Sequence, residues 1–367
     1  MYQWRMVFFY RHYLWKKKDV SYSCSRTGKV AMKTRLSYFT TSFIVCFLAL
    51  IAGFIIGGTA AVATIFFLTV LEVALSFDNA VVNAGVLKNW NHLWRQHFLV
   101  WGIFVAVFGM RLVFPLAIVS VVAHINPVEA INIALYQPEI YSRLMAAAHH
   151  QVAAFGGVFL MMVFLSFFVA RHKTEHWLAF IEKPLTRLGQ MEAIQAALTL
   201  ATLTIFTYFV APEERFEFLL AGMWGLIVYV FTKGAASLLS PHDAQIEQHV
   251  VHQGIGGFLY LELIDASFSF DGVLGAFAMT NNLFIIALGL GAGAMFVRSF
   301  TVLLVEKGTL NHYRYLEHGA FWAIGSLAFL MLLDVILSIP EAITGLLGAV
   351  LILASLGSSI LANRQKS

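Results

Sequence analysis

Long apolar blocks constrain this sequence more than any other feature. A helix needs about 20 consecutive apolar residues to cross a membrane hydrocarbon core about 30 Å thick. The apolar blocks of this chain are too long and too continuously apolar for the alternating strands of an outer-membrane barrel. We therefore predict an all-α, polytopic transmembrane helix bundle with ten spans, at residues 39–57, 61–87, 98–123, 144–170, 193–211, 217–237, 255–279, 282–305, 318–338 and 340–361.

The composition excludes an ordinary soluble protein. Hydrophobic residues make up 59% of the chain and charged residues only 12%, whereas soluble domains carry about 25% charged residues. Two cysteines, Cys24 and Cys46, provide neither a disulfide framework nor a thiolate metal cluster. Any metal ion must then be held by oxygen or imidazole ligands, and we expect no tightly bound cofactor.

The lysines and arginines predict the orientation, because they accumulate in short cytoplasmic loops. With the N-terminus inside, the outer loops keep only Arg143 and Arg215 of the 24 basic residues, and Arg111 and Arg298 fall within spans. We predict a multi-pass protein of the cytoplasmic (inner) membrane with both termini inside. The net charge of +4 then reflects topology. We expect membrane lipid as a partner and no nucleic acid, whereas homo-oligomer formation is unknown.

The chain start differs from the rest in being strongly basic. Met32 begins a conventional short basic lead into the first span, so we interpret residues 1–31 as an extension from an upstream start. A membrane-surface basic arm and a cleaved signal peptide are the alternatives. The resulting division is a basic N-terminal segment, a first repeat half, a second repeat half and a cytoplasmic tail, at residues 1–38, 39–211, 212–361 and 362–367.

An internal repeat carries the buried charges. LEVALSFDNAV at 71–81 aligns with IDASFSFDGVL at 264–274, which superposes two acidic residues and a Ser-Phe pair of one segment on those of the other. The predicted topology sends the two segments through the membrane in opposite directions. This pattern predicts an inverted repeat of two five-helix halves, and such repeats hold their substrate near the bilayer midplane.

Acidic residues within apolar spans predict a cation site. Each ionisable residue at a helix centre costs about 2.5–3.5 kcal/mol, and five such acids against two arginines leave negative charge uncompensated. A divalent cation that exchanges with protons would offset it, and oxygen ligands suit Mn²⁺, Ca²⁺ or Mg²⁺. The predicted metal ligands are Glu72, Asp78, Asn79, Asp265 and Asp271. Additional ligands or counter-ions are Ser76, Asn83, Glu262, Ser269, Arg111 and Arg298.

Helix geometry leaves the position of Asp78 open. Glu72, Ser76, Asn79 and Asn83 form one polar stripe, and Asp78 lies about 120° away from it on an ideal helix. A helix unwound at the Ser-Phe-Asp step would bring both acids onto one ligand. A regular helix would instead present Asp78 to a different neighbour.

The sequence resembles the TerC family of membrane proteins, and it is most similar to a long branch with ten spans. The resemblance rests on EVALSFDNAVV, DASFSFDGVLGAFAMTNN, GLGAGAMFVRSF, LEHGAFWAIGSLA and SIPEAITGLLG, and it covers roughly residues 40–360. It implies export of a divalent metal ion, chiefly manganese, with Glu72, Asp78, Asn79, Asp265 and Asp271 matching the family's acidic transport motif. One departure is Gly272, where shorter members carry asparagine or serine after the second aspartate.

A transporter of this kind would not be an enzyme. Two other functions are alternatives to it. Asp78 and Asp271 on facing spans are also the residues that an intramembrane aspartyl protease would need, because two such carboxylates share one proton. The Gly-x-Gly-Asp context typical of these proteases is absent from the sequence. A membrane factor that assists the assembly or metal loading of other proteins is the third hypothesis, although the inner loops are short for docking.

Overall fold

The structure is a computed structural model that describes residues 27–169, 175–189, 191, 193–238, 254–337 and 339–364. Over these residues the chain is helical and contains no strand, which confirms the predicted all-α class. Most of the predicted N-terminal extension lies outside the described residues. The side chain of Asp271 is outside them as well, although its backbone belongs to a described helix.

One stretch among the described helices is a π-helix, in which hydrogen bonds span five residues instead of four. The described elements are α1 (Thr27–Leu75), α2 (Phe77–Leu87), α3 (His92–Phe104), the π-helix Val105–Val113, α4 (Phe114–Val122), α5 (Pro127–Tyr136), α6 (Pro138–Ala147), α7 (His149–Phe168), α8 (Ala179–Leu188), α9 (Ile194–Phe209), α10 (Arg215–Leu238), α11 (Ile255–Met279), α12 (Leu283–Glu306), α13 (Thr309–His312), α14 (Leu316–Asp334) and α15 (Glu341–Arg364).

Contacts divide the chain into two compact units, Met1–Phe39 and Thr40–Ser367. In the first unit, the described residues 27–39 are helical. The second unit contains all the remaining helices and every residue of the site described below.

Six helical stretches in the described chain are long and apolar enough to cross a membrane, and these indicate a membrane protein. A bent pair, Val107–Val122 with Pro127–Tyr136, raises this number to seven if the pair is one span. The ten predicted apolar blocks fall mostly on helices. Among the described residues, however, only six or seven stretches meet these criteria of length and hydropathy, fewer than the ten spans predicted. The six stretches are Tyr38–Leu75, His149–Phe168, Arg215–Gly234, Leu283–Glu306, Leu316–Asp334 and Ile343–Arg364.

Helix α1 is broken at Gly57 and Gly58, between the first two predicted blocks. Gly58 has φ +65°, a left-handed conformation that favours glycine. A Cβ at Gly53 would collide with the side chain of Ile65, a residue that would lie about 18 Å away along a straight helix. The chain therefore folds back at the two glycines, and the two arms of α1 pack against each other.

Small residues allow close helix packing in the centre of the second unit, where α7 packs against α10 and α14. A Cβ at Gly225 would collide with the backbone carbonyl of Phe155, and one at Gly325 would collide with the Phe164 ring. Small interfacial residues bring membrane helices together in this way. The surrounding core is aromatic and includes the buried side chains of Phe159, Phe168 and Tyr229.

The two copies of the repeated segment differ in backbone. In the first copy, α1 ends at Leu75 and α2 begins at Phe77, and Ser76 between them has φ −102° and ψ 17°. The second copy lies within the continuous helix α11. Only the first copy is thus interrupted, and the inverted repeat stays a prediction.

Candidate functional site

A cavity of about 20 Å³ lies between α1, α2, the π-helix, α11 and α12. That volume holds about one water molecule or one bare ion. Apolar side chains, among them Met295, form part of its wall. The polar side chains that line it are Glu72, Asn79, Asn83, Arg111, Asp265, Arg298 and Thr301.

Asp265 of α11 is held by two amides of α2. Asn79 Nδ2 donates to Asp265 Oδ1 at 2.5 Å, and Asn83 Nδ2 donates to the same oxygen at 3.0 Å. Asn79 and Asn83 are one helical turn apart, so they meet the carboxylate from the same face of α2. Both amide nitrogens thus donate to Asp265. The two amide oxygens are buried and have no hydrogen-bond partner.

Glu72, near the end of α1, forms the second acidic part of the cavity. Its carboxylate accepts a hydrogen bond from Arg111 Nη2 in a buried ion pair and another from Ser76 Oγ at 3.1 Å. A Cβ at Gly293 of α12 would overlap the Glu72 side chain. The absence of a side chain there lets Glu72 lie close against α12.

The π-helix Val105–Val113 carries Arg111 to this ion pair. Proline has no N–H, so Pro115 leaves the carbonyl four residues earlier, that of Arg111, without its α-helical donor. Sequence analysis identified Arg111 as a buried charge but missed the π-helix. The one available signal was a proline four residues after an arginine within an apolar block.

Arg298 of α12 does not form an ion pair within 4 Å in the described structure. Its Nη2 donates to the backbone carbonyl of Phe98, and its guanidinium carbon lies 3.9 Å from the centre of the Phe98 ring. Both carboxylate oxygens of the buried Glu262 lack a hydrogen-bond partner, and so does the buried Ser269 hydroxyl. Glu262 and Ser269 do not line the cavity, so the unsatisfied oxygens on its lining residues are those of Asn79 and Asn83.

Asp78 lies apart from the cavity, although it is buried. Its Oδ1 accepts the backbone N–H of Asn79 at 2.9 Å, and a Cβ at Gly348 of α15 would lie 3.2 Å from its Oδ2. Both interpretations of the sequence thus hold in part, because the helix breaks at Ser76 and Asp78 nevertheless faces a different neighbour. Of the predicted ligands, the structure brings together Glu72, Asn79 and Asp265.

The charges that line the cavity balance, which differs from the excess of negative charge counted along the sequence. Glu72 and Asp265 face Arg111 and Arg298 there. No cluster of three or more His, Cys, Asp or Glu side chains suited to a metal ion occurs among the described residues. The charge count from the sequence assumes that all the buried acids share one site. In the structure, Asp78 and Glu262 do not line the cavity.

Comparison with protein families identifies the family of this chain. The sequence profile of a family described as "Protein of unknown function (DUF475)" matches residues 77–366, which is most of the chain. The chain belongs to the DUF475 family. No curated protein and no solved structure matches it. The DUF475 region contains Asn79, Asn83, Arg111, Asp265 and Arg298, and it begins after Glu72.

A second polar cluster of this DUF475 chain was missed by sequence analysis. The fully buried carboxylate of Glu182, on the short helix α8, accepts hydrogen bonds from the Trp177 and Leu178 N–H groups at 3.0 and 3.2 Å. From α14, His318 Nδ1 donates at 3.0 Å and Trp322 Nε1 at 3.1 Å. Burial raises the pKa of Glu182, but hydrogen bonds from His318 and Trp322 outweigh it and lower the pKa to about 2.

The Glu182 cluster connects the segment after α7 to the start of α14. Trp177 Nε1 also donates to Ser358 Oγ of α15 at 3.0 Å, and Arg314 pairs with Glu175 at 2.7 Å. Because the N–H groups of Trp177, Leu178, His318 and Trp322 all donate to the Glu182 carboxylate, the arrangement is that of a structural clamp. Only the single acid of α8, which follows three apolar residues, could have indicated it in the sequence.

Proposed function

We propose that this protein exports a divalent cation, with Mn²⁺ as the preferred ion, across the cytoplasmic membrane in exchange for protons. One observation carries the proposal. Two buried asparagine oxygens, at positions 79 and 83, lack a donor beside a carboxylate in a cavity between apolar helices.

Asp265 fixes the orientation of the two amides. Their nitrogens are occupied by Asp265, and a buried acceptor without a donor costs about 1–3 kcal/mol. A cation supplies what these oxygens lack. With Asp265 it would meet amide and carboxylate oxygens, which are the ligands that Mg²⁺, Ca²⁺ and Mn²⁺ prefer.

Further features of the proposal rest on the sequence. The preference for Mn²⁺ over Ca²⁺ and Mg²⁺ comes from the TerC resemblance, and the inside position of both termini comes from the distribution of lysine and arginine. We also propose ten spans in two inverted halves. The fold-back at Gly57 and Gly58 supports this number, because it divides α1 into two arms.

Transport of Mn²⁺ into proteoliposomes that contain the full chain tests the proposal. The Asp265→Asn variant should lose nearly all Mn²⁺ flux, because it removes the charge that faces the two amides. Asp78→Asn is the matched control, since it neutralises a buried aspartate that does not line the cavity, and it should keep most of the flux. Wild-type flux by Asp265→Asn, or no movement of Mn²⁺, Ca²⁺ or Mg²⁺ by the unmodified protein, would exclude this function.

A further inference from the structure

Met295 of α12 lines the cavity but has no role in the proposed function so far. It is buried, with 6% of its surface exposed. Among the described residues that line the cavity, four have apolar side chains, namely Val107, Ala294, Met295 and Val297. Of these four, Met295 alone carries an atom that binds metal ions, its thioether sulfur. The apolar part of the wall therefore offers one donor, and that donor is soft.

Contacts of α12 with both arms of α1 fix the position of Met295. Ser42 of the first arm is fully buried, and its hydroxyl donates to the Met295 carbonyl at 2.7 Å. The Ser42 hydroxyl also lies 2.7 Å from Ser299 Oγ, one turn further along α12. On the second arm, Glu72 occupies the space that a Cβ at Gly293 would fill. This turn of α12 is thus held against α1 on either side of Met295.

The size of the cavity determines which donors a bound cation meets. A space of about 20 Å³ holds the ion but no shell of water around it, so the ligands must come from the wall. The oxygen-bearing side chains of the wall outside the Glu72 ion pair are those of Asn79, Asn83, Asp265 and Thr301. A further ligand has to come from the apolar part of the wall, where the Met295 sulfur is the one donor.

A thioether among oxygen ligands discriminates between classes of divalent cation. Mg²⁺ requires octahedral oxygen ligands and usually keeps several waters, and Ca²⁺ takes about six to eight oxygens. Neither ion gains from sulfur, whereas transition-metal ions bind mixed sites of nitrogen, oxygen and sulfur. Soft dications such as Cd²⁺ gain most from a soft ligand.

We infer that the Met295 thioether is a ligand of the transported cation and sets a preference for transition-metal dications over Mg²⁺ and Ca²⁺, an inference that rests on the proposed function. The oxygen ligands of that function suit Mn²⁺, Ca²⁺ and Mg²⁺ alike. The sulfur supplies the distinction between them. It also makes Cd²⁺ a strong competitor for the cavity.

Inhibition of Mn²⁺ flux by Cd²⁺, in proteoliposomes that contain the full chain, measures the contribution of the sulfur. Met295→Leu keeps the side-chain volume and removes the donor. The Cd²⁺ concentration for half-inhibition should then rise about tenfold or more, since even a supporting group of a metal site contributes that much affinity. Met295→Gln replaces the sulfur by an amide oxygen, and Ca²⁺ should inhibit this variant more strongly than the wild type.

Met331→Leu is the matched control. Met331 of α14 is also buried, at 2% exposure, but it does not line the cavity. Inhibition of this variant by Cd²⁺ should equal that of the wild type. An unchanged response of Met295→Leu to Cd²⁺ would overturn the inference while leaving Mn²⁺ transport in place. No flux of Mn²⁺, Ca²⁺ or Mg²⁺ through the unmodified protein would instead remove the proposed function, and the inference with it.

X-ray absorption of Cd²⁺ bound to the purified full chain gives a second measurement that needs no change at Met295. Cys24→Ser and Cys46→Ser remove the two thiols of the chain, so any sulfur ligand that remains is a thioether. The spectrum should show sulfur in the first coordination shell of Cd²⁺, and Met295→Leu should lose it. A first shell of oxygen alone would overturn the inference.

Discussion

The ion pair between Glu72 and Arg111 allows a quantitative prediction about stability. Both side chains are buried, at 1% and 4% exposure, so replacing either one leaves a charge in an apolar interior. Loss of one partner from a buried pair costs about 3–5 kcal/mol. For Arg111→Gln we expect about 3 kcal/mol, the lower end, because the Ser76 hydroxyl still donates to Glu72.

The double variant distinguishes a true pair from two independent residues. If Glu72→Gln also costs about 3 kcal/mol, independent effects would sum to about 6 kcal/mol, whereas a coupled pair would give a double variant no less stable than either single one. Removing both charges leaves two amides that can hydrogen-bond to each other. We therefore expect the double variant to recover stability relative to Arg111→Gln.

Thermal unfolding of the detergent-purified protein measures these differences. At about 2.1 cal/mol/K of unfolding entropy per residue, a loss of 3 kcal/mol lowers the midpoint by about 4 °C for a chain of this length. Arg143→Gln is the control, because Arg143 is exposed, and it should leave the midpoint unchanged. Additive losses in the double variant would refute the coupling, and the ion pair would then contribute no specific stabilisation.

Two other predictions concern the Glu182 cluster and the orientation. The folded-state pKa of about 2 lies below the ordinary 4.5, so the stabilisation from Glu182 is complete above about pH 4.5 and is lost as the pH falls towards 2. Glu182→Gln should thus unfold at a lower temperature at pH 7 and lose less on acidification, and parallel acid sensitivity of both proteins would contradict this. An Arg143→Cys variant should react with an impermeant thiol reagent from outside the cell, whereas labelling only after permeabilisation would reverse the proposed topology.

The helices could be predicted from the sequence because each requires only local information. An apolar block of sufficient length must form its backbone hydrogen bonds internally in a membrane, and each predicted block falls mostly on one or more helices. The break at Gly57 and Gly58 falls at the end of the first block, where the sequence predicts the connection to the second. The bend between Val107–Val122 and Pro127–Tyr136, which is 112°, depends instead on packing between helices that no local pattern specifies.

The site could be predicted only in part. The polar stripe of Glu72, Asn79 and Asn83 was visible as a helical spacing, and these three residues do line one cavity. The position of Asp78 could not be derived, because the azimuth of a residue on an ideal helix loses its meaning after the break at Ser76. The unpaired amide oxygens likewise depend on Asp265, which lies 186 residues from Asn79.

The balance of charge in the cavity bears on the proposed export, because a carrier must also return without its cargo. Buried carboxylates facing an empty cavity would be costly if they were unpaired, and here Arg111 holds Glu72 while two amides hold Asp265. A dication that binds Asp265 must therefore compete with internal positive charge. Arg111 is fixed by a buried ion pair, whereas Arg298 is held by a carbonyl and an aromatic ring. Arg298 is consequently the charge that a cation bound under the proposed function would displace at the lower cost.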